Sequence, residues 1–189
     1  MARFQYAFDD QTFNDFRSQH IDVKVASCSW EKQCYFALRK SVFAQEQKIL
    51  PDNEQDGQDF RAIAIVALAA NCGVSDDVVG AVRIYQTDGQ VDGQVDSDAQ
   101  ENIWFGGRLC VARAYRGHQS IGKALINEAV ARAKDLGCTK FLANVQPQNE
   151  AYFKSVHWQT LGMVEIAGRP HMRMQADLTA YPFMPRSQS

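Results

Sequence analysis

Hydrophobic positions along the chain fall into short alternating runs, continuous apolar runs and helical stripes, in that order. Ile21 to Ser27 alternates Ile21, Val23 and Val25 with polar neighbours, the pattern of a strand with one buried face. From Trp30 to Gln45 the spacing changes: Cys34, Leu38 and Val42 fall four apart, and Tyr35 and Phe43 widen the stripe. That predicts a helix. Phe60 to Ala70 and Val78 to Tyr85 are nearly continuous apolar runs, joined by a Gly- and Asp-bearing connector that suits a hairpin. Arg83 is the one charge in the second run, and the favoured reading is an arginine snorkelling to solvent rather than one reaching into a cleft. Thr87 to Asn102 is acidic and glycine-bearing, a hairpin excursion without the ligand spacing of a calcium loop.

The second half repeats the alternation on a larger scale. A strand over Trp104–Arg113, a helix over Ile121–Leu136 and a strand over Lys140–Gln146 make a βαβ unit with parallel strands. Leu125, Ala129, Ala133 and Leu136 share a helix face with Gly122, and Gly137 marks the helix stop. Asn149 to Val156 reads as a short helix after a Pro-bearing turn. Two strands, Thr160–Ala167 and Met172–Leu178, then flank a Gly/Pro turn. Residues 1–20 read as an N-terminal arm, 21–178 as one domain and 179–189 as a C-terminal tail.

Composition narrows the classes. The 189 residues are enough for one domain with a real core, and 46% hydrophobic with 22% charged content is ordinary for a soluble globular chain. A net charge of −2 gives no electrostatic reason to expect nucleic acid or an anionic membrane as partner. No apolar run approaches the roughly 18 residues of a membrane span, and the first residues carry no apolar signal region. The five cysteines, Cys28, Cys34, Cys72, Cys110 and Cys138, include no Cys-x-x-Cys pair, so neither a disulfide framework nor a metal site is expected. A reduced cytoplasm is the expected compartment.

The chemistry concentrates between Gly106 and Leu136. A short apolar strand gives way to a basic, glycine-bearing turn that opens a helix, which converges unpaired N–H groups and the positive end of a helix dipole on one point. Such a turn takes a phosphate. Gly117-x-x-x-x-Gly122-Lys123 begins like a P-loop, but Ala124 stands where the magnesium-binding hydroxyl belongs. The next strand carries Asn144 and no acid, so nucleotide hydrolysis is disfavoured.

Three motifs, in the correct chain order, resemble the GNAT superfamily of acyl-CoA-dependent N-acyltransferases. Leu109-Cys110-Val111 and Tyr115-Arg116-Gly117 stand at the family's spacing ahead of Gly122. Leu38-Arg39-Lys40-Ser41-Val42-Phe43-Ala44-Gln45-Glu46-Gln47 matches a subgroup's Leu-Arg-x-x-Val-Phe-x-x-Glu-Gln. Gly168 to Met174 matches that subgroup's Gly-x-Pro-His-x-x-Met. The resemblance covers residues 21–178 and implies an α+β fold: a mixed, mostly antiparallel sheet with one splayed parallel strand pair, flanked by helices.

The resemblance further implies acetyl transfer from acetyl-CoA to the primary amine of a small-molecule acceptor, without a metal, in a chain that by family habit dimerises. It places the cosubstrate on Leu109, Cys110, Val111, Arg116, Gly117, His118, Gln119, Ser120, Ile121, Gly122 and Lys123, with Asn149 and Phe153 beyond. The Val111 N–H is the implied oxyanion donor. Glu46, Glu165 and His171 are the base candidates, and the loop Asp52–Asp59, with Glu54 and Asp56, is implied in the acceptor wall. Two departures stand out. The turn between Arg116 and Gly122 is one residue longer than the family's, with Ser120 in place of a glycine. Phe153 occupies the position of the tyrosine that serves many relatives as acid, leaving Tyr152 beside it, and His157-Trp158 replaces Gly-Phe. The missing tyrosine is the best support for the alternative, a noncatalytic acyl-CoA-binding module; a homoserine-lactone synthase on the same fold is a further alternative.

Overall fold

The computed structural model describes residues 20–51, 55–71, 75–87, 90–91, 94–95, 102–117 and 120–181. Most of the N-terminal arm, Glu54, His118, Gln119 and the end of the tail lie outside the described residues. The elements are β1 (Ile21–Val25), α1 (Ser29–Arg39), β2 (Ile63–Asn71), β3 (Ser75–Gln86), two short strands β4 (Gln90–Val91) and β5 (Gln94–Val95), β6 (Ile103–Val111), α2 (Ile121–Asp135), β7 (Lys140–Val145), α3 (Glu150–Ser155), β8 (Trp158–Ile166) and β9 (Arg169–Ala176). Seven of the strands form one sheet in the order β1-β2-β3-β6-β7-β9-β8, and β4 pairs with β5 as a separate ribbon. Every neighbouring pair in the large sheet is antiparallel except β6–β7. Among the described residues no helix is long and apolar enough to cross a membrane.

The continuous apolar run of β2 has a simple cause: both of its faces are covered. Ile65, Ala67 and Ala69 face the core shared with α2, while Val66 and Leu68 face the smaller core under α1 with Tyr35, Val42 and Phe43. Gly80 on β3 lets α2 approach closely, since a Cβ there would lie 2.8 Å from Leu125 Cδ1. Gly137, at φ +82°, takes the left-handed conformation that ends α2.

Details of both long helices differ from the sequence pattern. The buried stripe of α1 is Glu31, Tyr35 and Arg39, with Cys34 outside. Apolar periodicity cannot register a buried charge, and Arg39 is buried completely beside Asp59. Past Arg39 the helix widens into a π-helical turn, Lys40–Glu46, closed by the Gln47 N–H donating to the Val42 carbonyl, which keeps Val42 and Phe43 inward. Leu136 is exposed rather than on the sheet face. Near the C-terminal end of the described residues, Tyr181 is buried and accepts a 3.0 Å hydrogen bond from the Trp158 indole.

Candidate functional site

The parallel strands separate. β6 and β7 pair from Ile103↔Lys140 to Gly106↔Ala143 and no further. Beyond that point β6 stays bonded to β3, and β7 to β9. Two features mark the place where they part. A Cβ at Gly106 would lie 3.1 Å from the Phe141 ring, so the strands touch there only because the position is glycine. One step on, β6 carries a bulge between its Ala81↔Cys110 and Arg83↔Gly107 pairs, with Arg108 at φ +55°. A bulge bends its strand and redirects the side chain it carries.

The split opens a cleft of about 460 Å³. Gly107, Arg108 and Leu109 form one wall, and Asn144, Val145 and the Gln146–Asn149 turn form the other. Ile126, Ala129, Phe153 and Trp158 supply an apolar floor. One end is closed by Phe43, Ile49 and Leu50 together with the β8–β9 hairpin from Ile166 to His171. Inside β6 the residues divide by strand alternation. Ala112 donates to the Val79 carbonyl at 2.8 Å, so Cys110 uses its backbone groups toward β3 and Val111 turns its own toward the split. The Cys110 side chain is buried under α1, away from the cleft.

At the mouth of α2 the chain makes a strained turn. Gly117 lies at φ +75°, and Ser120, the residue before the helix, at φ 50° and ψ 33°. Ser120 thus adopts the conformation a glycine would take there. A Cβ at Gly122 would lie 3.1 Å from the Tyr152 hydroxyl. Ile121 is anchored in the core, and Lys123 is exposed.

Arg116 ties this turn to the end of the π-helical turn that follows α1. Its Nε donates to the Val111 carbonyl at 2.8 Å, and its Nη2 donates to Glu46 Oε2 at 2.8 Å, with a second bond from Nη1 to Oε1. The hydrogen bonds from Arg116 hold the Glu46 carboxyl below its ordinary range. Both carboxylate oxygens of Glu46 are therefore engaged, which weakens it as a base.

The remaining candidates separate by position. His171 lines the cleft, and its Nδ1 lies 3.0 Å from the Arg169 carbonyl. A carbonyl only accepts, so Nδ1 carries the hydrogen and neutral His171 presents Nε2 as its basic nitrogen. Glu165 is exposed on β8 and is not among the cleft-lining residues. Tyr152 points its hydroxyl at Gly122 on α2, whereas Phe153 packs edge-on against Trp158 in the cleft floor. The two neighbours cannot exchange places on a helix. His157, which stands in place of the family's glycine, is at φ +66°.

Behind the Arg108 wall lies a network that the sequence pattern missed. Arg39 grips Asp59 with two bonds, 2.6 and 3.0 Å, and donates to the Tyr35 hydroxyl at 2.7 Å. Arg83 grips Asp56 with two bonds of 2.7 Å and lies 2.9 Å from Asp59. Arg108 donates to the same Asp56 at 3.0 Å. Arg83 is thus buried in ion pairs rather than snorkelling to solvent, and Asp56 is anchored by them. Burial pushes the Asp59 carboxyl up, but hydrogen bonds from Arg39, the Asp56 N–H and Arg83 outweigh it and hold it at about 2. Asp56 is lowered against the same opposition, chiefly by Arg83. One signal for this was present in the chain: Asp56-x-x-Asp59 is a capping pair, each carboxylate accepting a backbone N–H of the short turn at 3.0 Å.

The acetyltransferase (GNAT) family profile matches residues 26–154. No curated protein sequence matches the chain. Among solved structures, an acyl-CoA N-acyltransferase from Pseudomonas aeruginosa superposes with a TM-score of 0.62 at 23% identity, covering 83% of this chain and 98% of that one. Escherichia coli ElaA superposes with a TM-score of 0.64 at 20% identity, covering 84% and 99%. The aminoglycoside acetyltransferase AAC(6')-Ib, solved with coenzyme A and kanamycin, gives 0.60 at 14% identity over 86% and 97%.

Proposed function

This chain belongs to the acetyltransferase (GNAT) family, and from that premise we propose that it moves an acetyl group from acetyl-CoA to a primary amine of a small acceptor by direct transfer. One observation carries the reading: β6 and β7 part after Gly106↔Ala143 and leave an apolar-floored cleft of about 460 Å³ between two strand edges. Those edges fit an extended arm of alternating amides, such as the pantetheine of CoA, lying between them as a further strand. The start of α2, with Ser120, Gly122 and Lys123, fits its pyrophosphate, with the positive end of the α2 dipole toward the charge. Gly122 keeps that approach free of a Cβ.

In this reading the acceptor nitrogen attacks the thioester carbonyl carbon. A C–N bond forms, the carbonyl electrons move onto oxygen beside the Val111 N–H, and collapse breaks the C–S bond and releases CoA as its thiolate. The proton lost by nitrogen passes to His171 Nε2, directly or through one water. His171 is preferred as base because Glu46 is held by Arg116 and Glu165 lies outside the cleft wall. With Phe153 in the floor, the thiolate takes its proton from solvent. Holding both substrates in one cleft supplies much of the rate.

The test is a titration with acetyl-CoA, followed by the Gly122→Glu variant. The reading expects saturable binding that weakens at least tenfold in the variant with its melting temperature retained. Equal binding by the two proteins would contradict the assignment of the turn.

A further inference from the structure

Asn144 is the first residue of β7 past its last pair with β6, Gly106↔Ala143, so it stands where the split begins. Alternation along β7 sends Ala143 and Val145 into the core shared with α2 and leaves Leu142 and Asn144 on the opposite face. Asn144 is half-buried and lines the cleft. Its Oδ1 accepts from Nε of Arg173, its register partner on β9, at 2.6 Å. An arginine only donates, so this contact fixes which end of the amide is the oxygen. Arg173 is itself held in place, buried with its guanidinium 5.3 Å from the centre of the Phe105 ring. The other end of the amide, Nδ2, carries two N–H donors, and none of the described residues accepts from them.

We infer that Asn144 selects the acceptor: Nδ2 donates to a carbonyl oxygen carried beside the acceptor's nitrogen, so the substrate is a small α-amino carbonyl compound rather than a plain alkylamine. The inference rests on reading this cleft as the acetyl-transfer site with His171 as base.

The sheet register sets where that oxygen lies. His171 and Arg173 are two apart on β9, so they share the face that carries Asn144. Asn144 pairs with Arg173, which makes His171 its diagonal neighbour, about 7–8 Å away along the backbone lattice. An amine nitrogen at His171 Nε2 and an oxygen at Asn144 Nδ2 fit that spacing within one small molecule. Continuing the β7–β9 register puts His171 level with Gln146, and Val111 ends β6 at the open side. Asn144 therefore lies deeper in the split than either group of the proposed reaction. Nδ2 offers donors alone, which suits a carbonyl oxygen with its two lone pairs. A methylene or an ammonium in that place leaves the amide desolvated and unpaired, the condition under which a polar site rejects an analogue most strongly. Phe43, Ile49 and Leu50 in the cleft lining suit an aliphatic side group.

The experiment uses the full chain saturated with CoA and compares two neutral product analogues, N-acetyl-leucinamide and N-isopentylacetamide, by calorimetric titration. They share the acetamide and the branched alkyl body and differ in the carboxamide alone. The expected result is at least tenfold tighter binding of N-acetyl-leucinamide. Asn144→Asp is expected to abolish that difference, since its carboxylate still accepts from Arg173 but offers the ligand no donor. Equal or tighter binding of N-isopentylacetamide, or binding of neither, overturns the inference. So does a preference that survives Asn144→Asp, which donation from the ligand's own NH2 would give. Should Asn144→Asp lose its folded melting transition, the wild-type comparison and Asn144→Ala decide, the latter expected to bind the two equally. Acetyl transfer to leucinamide and isopentylamine is followed in parallel. Faster turnover of isopentylamine than of leucinamide overturns the selection by Asn144 while leaving the transfer reading intact. Preferred binding of N-acetyl-leucinamide with no turnover of any amine upholds the selection and contradicts the transfer reading.

Discussion

In the proposed reaction, His171 is the residue on which the chemistry turns. The Arg169 carbonyl fixes its tautomer, and its place in the cleft wall sets it apart from Glu46 and Glu165. Replacing His171 with Ala is expected to lower kcat by about 10²–10⁴ with the acetyl-CoA KM little changed, measured by steady-state CoA release. Glu46→Gln, by contrast, should leave the pH profile of kcat in place and act on the acetyl-CoA KM, because its carboxylate partners Arg116 rather than a substrate proton. A shifted pH profile in Glu46→Gln would return Glu46 to the role of base.

Asp59 belongs to the same scale but to stability. Its side chain is 7% exposed and lies against Arg39 and Arg83, so Asp59→Asn strands buried positive charge and is expected to cost about 3–5 kcal/mol in urea unfolding at neutral pH. The carboxyl sits at about 2 in the fold against an ordinary 3.8, so its contribution is complete above pH 4 and is lost as pH falls through about 2. Wild-type stability should decline across that window, and the decline should be shallower in Asp59→Asn. Parallel slopes would show that the pair does not supply this linkage.

At the scale of elements, the helix ends and strand turns carry the strain. His157 occupies a left-handed conformation that costs an L-residue about 1–2 kcal/mol, so His157→Gly is expected to raise stability by about 1 kcal/mol in chemical unfolding. The expected glycine was legible from the resemblance, but the conformation was not. Alternation and continuous runs gave β1, β2, β3, β6 and β7 to within a few residues, because both are direct consequences of which faces are buried. The βαβ unit and its parallel pair followed from the same signal. What escaped was burial by pairing. Arg39, Arg83 and Glu31 look like surface residues in any hydropathy pattern, and only contacts made across the fold, to Asp59, Asp56 and Lys24, show why they are inside. The bulge at Arg108 was equally invisible, since a positive φ there leaves no mark in residue type. Of the candidate site residues, the glycines and His171 are named from motif spacing, while the proposed preference for His171 over Glu46 rests on the Arg116 contact.

For the whole molecule, the sheet is a device for holding two parallel strands together at one end and apart at the other. β3 and β9 keep β6 and β7 in place from outside, α2 closes one face, and α1 with its π-helical turn closes the other. In the proposed reading the cofactor turn, transfer point and acceptor wall lie along one opening, and Arg116 joins the turn before α2 to Glu46. The most direct measurement of this account is mass-resolved turnover: the full chain, acetyl-CoA and a panel of small amines, with the acetylated product identified and CoA release counted. The account predicts one CoA released per N-acetylated product, with transfer reduced at least tenfold in both Gly122→Glu and His171→Ala. CoA release without any acetylated amine, or transfer undiminished in both variants, would contradict it.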